Sequence, residues 1–150
     1  MSIDDLVIKR VFNCSKRALF DAWSQADLLS RWFFAAPSKV KDSSVECQFY
    51  VGGRWSVTMY FEDDSQSTLH GFYKTINRYS EIAFSWNSPI ATDGMVKLFF
   101  KELSVNRTEL KLIHSHFSSA ESRQMHNQGW EGCLANLDKL VVLINDSDVR

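Results

Sequence analysis

Two histidines separated by one residue, His114-Ser115-His116, are the densest chemistry in the chain. On a strand, residues i and i+2 share a face, so both imidazoles would point the same way. Such a pair can hold a metal when His126 or Glu131 from a neighbouring helix supplies a third ligand. No other ligand-spaced cluster accompanies it, and the plainer reading is a core His114 beside an exposed His116. The expectation is no metal and no cofactor. Acidic residues come next: Glu46 and the run Glu62-Asp63-Asp64 could form an acid/base pair. Asp63-Asp64-Ser65 is turn chemistry, however, and Glu62 falls on the outer face of a strand, so solvation accounts for them. Ser85 and Ser115 have no recognisable His/Asp partner and sit in no G-x-S-x-G elbow. Gly52-Gly53 lacks the helix and the Lys-Ser/Thr of a phosphate loop, and is expected to supply a positive φ or a bulge where a strand begins. No catalytic residue is assigned.

The aromatic residues make a stronger set. The chain has 11 Phe, 5 Trp and 4 Tyr among 150 residues. Trp32, Trp55, Met59 and Phe84 are expected to point into the interior, together with Trp86, Phe100, Met125 and Trp130. Leu134 belongs to the same inward set. Any one of them is accounted for by core packing. As a group they exceed what a helix lying on a sheet requires, and Met and Trp suit adaptable apolar pockets. Tyr73, His114 and Arg54 could add the few polar contacts that orient a ligand, although Arg54 alternates out of phase with Trp55.

Periodicity places these residues on elements. Leu6 to Phe12 reads as a strand, with Ile8 and Arg10 opposite Val7, Lys9 and Val11. Ser15 is a candidate N-cap for a short helix over about residues 16–23, where Leu19, Ala22 and Trp23 form an apolar stripe. A second helix restarts at Gln25-Ala26-Asp27 and presents Leu28, Leu29, Trp32 and Phe33, until Pro37 prevents continuation. From Val45 to His116 the period is 2. Trp55, Val57, Met59 and Phe61 alternate with polar residues, Thr68 to Arg78 is a second strand, and Ile82-x-Phe84-x-Trp86 a third. Val96, Leu98 and Phe100 mark a fourth; Leu110, Leu112 and His114 mark a fifth. Short turns at Asn77–Ser80 and Ser104–Arg107 imply antiparallel neighbours. After Ser118-Ser119 a helix of about 25 residues carries Met125, Trp130, Cys133, Leu134, Leu137, Val141 and Ile144 on one side. Gly129 and Gly132 each cost that helix roughly 1 kcal/mol relative to Ala. Close approach to the sheet, or a bend beside a cavity, would offset the cost. The fold class is α+β: a curved antiparallel sheet of about six or seven strands wrapped around a long C-terminal helix, with two short helices after the first strand, in a single domain over residues 1–150.

Seventeen basic against eighteen acidic residues, interspersed, give a net charge of −1 and no basic footprint for nucleic acid. No apolar run approaches the ~18–20 residues of a membrane span. The acidic start Met1-Ser2-Ile3-Asp4-Asp5 does not resemble a signal peptide. Cys14, Cys47 and Cys133 are odd in number and widely spaced, as expected of reduced thiols in a cytoplasmic protein.

Arg31-Trp32-Phe33, Gly52-Gly53-Arg54-Trp55, Gly71-Phe72-Tyr73, Phe84-Ser85-Trp86 and Gly129-Trp130 form an ordered set. In order and spacing it resembles the family of proteins similar to the C-terminal domain of the activator of the heat-shock protein 90 ATPase. That family lies within the helix-grip (START-like) superfamily, with polyketide cyclases/aromatases, lipid-transfer domains and plant hormone receptors. The resemblance spans about residues 5–144 and implies the helix-grip fold. Relatives often carry Arg two residues before the Gly-Gly; here that residue is Tyr50. Three functions stay open, in this order. The first is a carrier or sensor of a small hydrophobic or amphipathic molecule bound between sheet and helix. The second is a cyclase/aromatase-like or hydrolase-like enzyme using the same pocket, with His114 as its titratable group. The third is a co-chaperone-like module that contacts another protein.

Overall fold

The computed structural model describes residues 3–33 and 40–148, so Pro37, the expected helix stop, lies outside the described residues. Strand β1 (Leu6–Phe12) is followed by helices α1 (Lys16–Ser24) and α2 (Ala26–Leu29). Six strands then run in succession: β2 (Val40–Cys47), β3 (Arg54–Phe61), β4 (Gln66–Asn77), β5 (Glu81–Ser88), β6 (Ala91–Ser104) and β7 (Arg107–Ser115). Helix α3 (Ala120–Asp148) follows them. All neighbouring strands are antiparallel, in the order β1-β7-β6-β5-β4-β3-β2. Every strand from β2 to β7 thus lies beside its chain neighbour, as short turns dictate. Only β1 crosses over, pairing with β7.

Local chemistry sets the element ends. Ser15 caps α1 by accepting a hydrogen bond from the Ala18 N–H (3.1 Å), and Ser119 does the same for α3 through the Ser122 N–H (3.0 Å). Helix α2 is shorter than the apolar spacing suggests. It is a single turn, continued by the Arg31 N–H to Leu28 carbonyl and Trp32 N–H to Leu29 carbonyl bonds, and that turn carries Trp32 and Phe33 into the core. Strand β2 starts several residues before Val45, the point where period 2 becomes visible. It is the sheet's edge, and Asp42, Ser43 and Ser44 give it no apolar alternation to read.

The inner face of the sheet is continuous across strands: Trp55, Val57 and Met59 from β3, Phe84 and Trp86 from β5, Val96, Leu98 and Phe100 from β6, and Leu110, Leu112 and His114 from β7 are all buried. On α3 the buried positions are Ser122, His126, Trp130, Cys133, Leu134, Leu137, Leu140 and Val141. Their spacing is that of one helical stripe. Met125 is off this stripe by one residue, about 100° around the helix, and is 47% exposed. The expectation that it points inward is corrected. Taking Met125 rather than the polar His126 as the inward residue misplaced the start of the stripe.

Two glycines do identifiable work in the sheet. Gly52 has φ +91 in the turn that leads into β3, with open space where a Cβ would go. Gly71 lies opposite Trp55 across β3–β4. A Cβ there would collide with the Ser85 carbonyl oxygen and sit 2.7 Å from Trp55 Nε1. The empty space lets the indole pass over β4 and donate to that carbonyl at 3.1 Å, while Ser85 Oγ accepts from the Phe72 N–H at 2.8 Å. Gly71→Ala is expected to cost about 3 kcal/mol, at the upper end of overpacking penalties, because backbone must move. Gly52→Ala should cost only about 1 kcal/mol, the strain of a left-handed residue. Urea unfolding followed by circular dichroism checks the order; equal losses would refute the close-approach account.

Candidate functional site

Between the inner face of β3–β5 and the first half of α3 lies a recess of about 210 Å³. The sheet contributes Met59, Leu69, Trp86 and Ser88, with Ser67 at partial exposure. Pro89 and Ile90 of the β5–β6 turn form one lip, and α3 supplies Met125, His126, Gly129, Trp130 and Cys133. Phe33, delivered by the turn after α2, closes the far side, 6.1 Å from Trp86 and 5.6 Å from Trp130 between ring centroids. Among the described residues no Asp, Glu, Lys or Arg lines it. Gly129 borders the recess.

Behind this wall is a buried polar cluster. The Trp130 indole N–H donates to His114 Nδ1 at 3.0 Å, and the Trp86 N–H donates to His126 Nε2 at 3.2 Å. His126 Nδ1 lies 2.8 Å from the Ser122 carbonyl, which can only accept, so Nδ1 carries the proton and Nε2 the lone pair. Ser88 Oγ is also 3.2 Å from that Nε2. The two imidazoles face one another with centroids 5.1 Å apart. Burial, and secondarily the nearby His126, pushes the His114 pKa down to about 3. Burial lowers His126 as well, partly offset by its bond to Ser122. Both are neutral at pH 7.

The expected site residues divide by location. Met59, Trp86, Met125 and Trp130 line the recess, with Met125 at its mouth. Trp55, Tyr73 and Phe84 surround a separate hollow of only about 20 Å³, which their side chains nearly fill. Tyr73 meets Cys47 there, and burial, then the adjacent thiol, raises its pKa. Trp32 packs on Trp23 at 4.6 Å and donates its N–H to the Ala22 carbonyl. Phe100 packs on Phe20 at 5.3 Å, and Leu134 is fully buried; neither borders the recess. His114 stands behind Trp130 and does not reach the recess wall. Arg54 is on the outer face, its guanidinium over Phe72 at 5.5 Å, beside a polar trough of about 560 Å³ that also includes Gln48 and His70.

The His114-x-His116 pairing is not made. His116 lies beyond β7 with φ +72, which ends the alternation, and its Nδ1 is 3.3 Å from the Asp93 carbonyl. The partner His114 meets is His126. Among the described residues no group of three His, Cys, Asp or Glu side chains is placed to hold a metal. Ser88 is a polar recess residue that the sequence reading passed over, and His126, considered there only as a third metal ligand, was not placed on the recess wall. Helical phase from Trp130 (i−4) could have placed His126; nothing local marked Ser88.

A curved antiparallel sheet gripping a long C-terminal helix, with an apolar recess between them, defines the helix-grip, START-like class. The model of the activator of Hsp90 ATPase homolog 1-like family matches residues 13–142, and the chain belongs to that family. No curated protein matches it in sequence. Among solved structures, a Chromobacterium violaceum protein has a TM-score of 0.77 at 16% identity, covering 91% of this chain and 96% of its own. The AHSA1 protein of Silicibacter pomeroyi gives 0.77 at 19%, covering 93% and 99%. An HSP90 activator from Plasmodium falciparum gives 0.73 at 20%, covering 91% and 94%. These likenesses establish the fold. Among the described residues no helix is long and apolar enough to cross a membrane.

The buried histidines make stability depend on pH. His114 binds a proton in the unfolded chain at about pH 6.5 but in the native protein only near 3. Its contribution is complete above about pH 6.5 and is lost as pH falls toward 3, at ~1.4 kcal/mol per unit. Between pH 7.5 and 5 the protein should lose about 2 kcal/mol from this residue, with His126 adding in the same direction. His114→Gln should flatten that slope in urea titrations at the two pH values. An unchanged slope would show that His114 does not remain neutral in the native state.

Proposed function

We propose that the protein binds a small, predominantly apolar molecule in the recess between the sheet and α3, as a carrier or sensor. The observation that carries this is the lining: Trp86, Trp130, Phe33 and Met59 present apolar surface to a volume of about 210 Å³, with no charged side chain among the described residues. Packed interiors rarely leave voids larger than a water molecule, and a dry engineered cavity of about 150 Å³ accepts benzene. A volume somewhat above that suits one or two fused rings. Both indole N–H groups of the wall already have histidine acceptors, so the rings can offer their faces to a guest at no polar cost. Met125 at the mouth is unbranched and can move aside for entry.

The enzyme reading has less support. It needs a convergent acid/base pair, whereas the one imidazole on the recess wall, His126, commits Nδ1 to Ser122 and Nε2 to Trp86 and Ser88. A protein-contact role draws on a different surface: Tyr50, Val51 and Phe72 are 58%, 63% and 41% exposed around the turn into β3.

Naphthalene titrated into ¹⁵N-labelled protein should shift the Trp86 and Trp130 indole resonances saturably, at 1:1 stoichiometry, and leave Trp32 nearly unmoved. Met59→Trp should fill the recess and abolish binding while keeping a cooperative unfolding transition. Leu134→Trp, on a solid part of the core, should instead destabilise by about 1–3 kcal/mol. If naphthalene moves no indole signal and Met59→Trp destabilises as much as Leu134→Trp, the recess holds no guest and the proposal fails.

A further inference from the structure

We infer that the recess selects an uncharged aromatic molecule bearing one hydrogen-bond acceptor, such as an aryl ketone, which the Ser88 hydroxyl receives. The inference rests on the ligand-binding reading above and specifies the chemistry of its guest.

The argument begins with one lone pair. His126 carries its proton on Nδ1, so Nε2 offers a single acceptor position. Two donors converge on it at the same distance: Trp86 Nε1 at 3.2 Å and Ser88 Oγ at 3.2 Å. Only one can be well satisfied. The indole N–H has a fixed direction, whereas the serine O–H rotates about its C–O bond. The next acceptor within reach of Ser88, the Ala91 carbonyl, is at the outer limit of 3.5 Å. Ser88 borders the recess, half-buried beside the Pro89–Ile90 lip, and its hydroxyl holds one contested acceptor and one long one, so it can turn to an acceptor on a guest. An acceptor on the guest relieves the competition and leaves Trp86 sole use of His126.

A donor on the guest gains less. The His126 lone pair is already contested, and Ser88 Oγ already lies 3.3 Å from the Ile90 N–H. Among the described residues Ser67 is the other hydroxyl of the lining, half-buried as Ser88 is, and the Ser88→Ala variant distinguishes the two. Charge is excluded for a separate reason. A carboxylate or ammonium entering the recess would give up its hydration and meet no counter-charge among the described residues of the wall, none of which is Lys, Arg, Asp or Glu. The volume of about 210 Å³ suits a bicyclic ring with a short substituent.

Three probes of nearly one shape separate these elements: 2-acetylnaphthalene, 2-ethylnaphthalene and 2-naphthoate, each titrated calorimetrically at pH 7.5. The neutral pair should bind and naphthoate should be weaker than acetylnaphthalene by at least about a hundredfold. Ser88→Ala should weaken acetylnaphthalene roughly three- to tenfold, the usual worth of one hydrogen bond, and leave ethylnaphthalene unchanged. Naphthoate binding within tenfold of acetylnaphthalene overturns the exclusion of charge. Equal effects of Ser88→Ala on both neutral probes, or no effect on either, overturn the role of the hydroxyl. If Ser88→Ala does not fold, the acetylnaphthalene complex of the parent protein decides: a guest-to-Ser88 hydroxyl contact in its solved structure is required, and its absence refutes the assignment. Failure of all three probes and of naphthalene would refute ligand binding itself, whereas ethylnaphthalene binding with no discrimination by Ser88 refutes only this inference.

Discussion

Two indole N–H groups are buried between the sheet and α3, far from water, and each needs an acceptor in a layer otherwise made of hydrocarbon. The protein meets this need reciprocally. Trp86 on the sheet donates to His126 on the helix, and Trp130 on the helix donates to His114 on the sheet. An unpaired buried donor costs roughly 1–3 kcal/mol, so sliding or rotating α3 by one residue would orphan both at once. Apolar packing alone tolerates such slips; the crossed pair does not. The position of α3 over the sheet and the orientation of the aromatic wall follow from these two bonds, and the imidazoles that burial keeps neutral have the lone pairs to accept them.

The same constraint separates what could be read from the amino-acid order and what could not. Alternation in β3, β5, β6 and β7 and the 3.6 period of α3 are direct imprints of burial, so the layers and their order were legible. Strand β2 was only half visible because its half-buried face carries Ser43 before Val45 and Cys47, so the alternation in burial has no apolar counterpart in its first half. The phase of α3 was misjudged at Met125 because the stripe begins with polar residues, Ser122 and His126, whose burial depends on partners far away in sequence. His126 is 40 residues from Trp86, and Ser88 is 38 residues from His126. Neither pairing leaves a local pattern. The aromatic set was recognisable as inward-facing, yet its division into recess wall, filled hollow and solid core depends on how far sheet and helix diverge at each level, which no spacing encodes.

Gly71 illustrates how a weak motif acquires a physical reason. In the sequence it is one glycine before Phe-Tyr. In the fold it is the opening through which Trp55 crosses to the Ser85 carbonyl. That bond ties β3 to β5 across β4, so three strands share one side-chain staple. The Gly-Phe-Tyr and Gly-Gly-Arg-Trp segments are two halves of the same device.

All five tryptophans of the chain belong to one relay of rings. Trp32 lies 4.6 Å from Trp23, Trp23 is 5.9 Å from Trp130, Trp130 is 5.2 Å from Trp86, and Trp86 is 5.4 Å from Trp55. At such separations excited indoles are not independent chromophores. Excitation absorbed by any one of them migrates to whichever ring has the lowest-energy transition, and neighbouring transition dipoles couple into paired bands of opposite sign in circular dichroism. The emission of this protein is therefore a property of the whole aromatic spine, and a quencher that reaches only Trp86 or Trp130 would darken light first collected at the far end of the molecule.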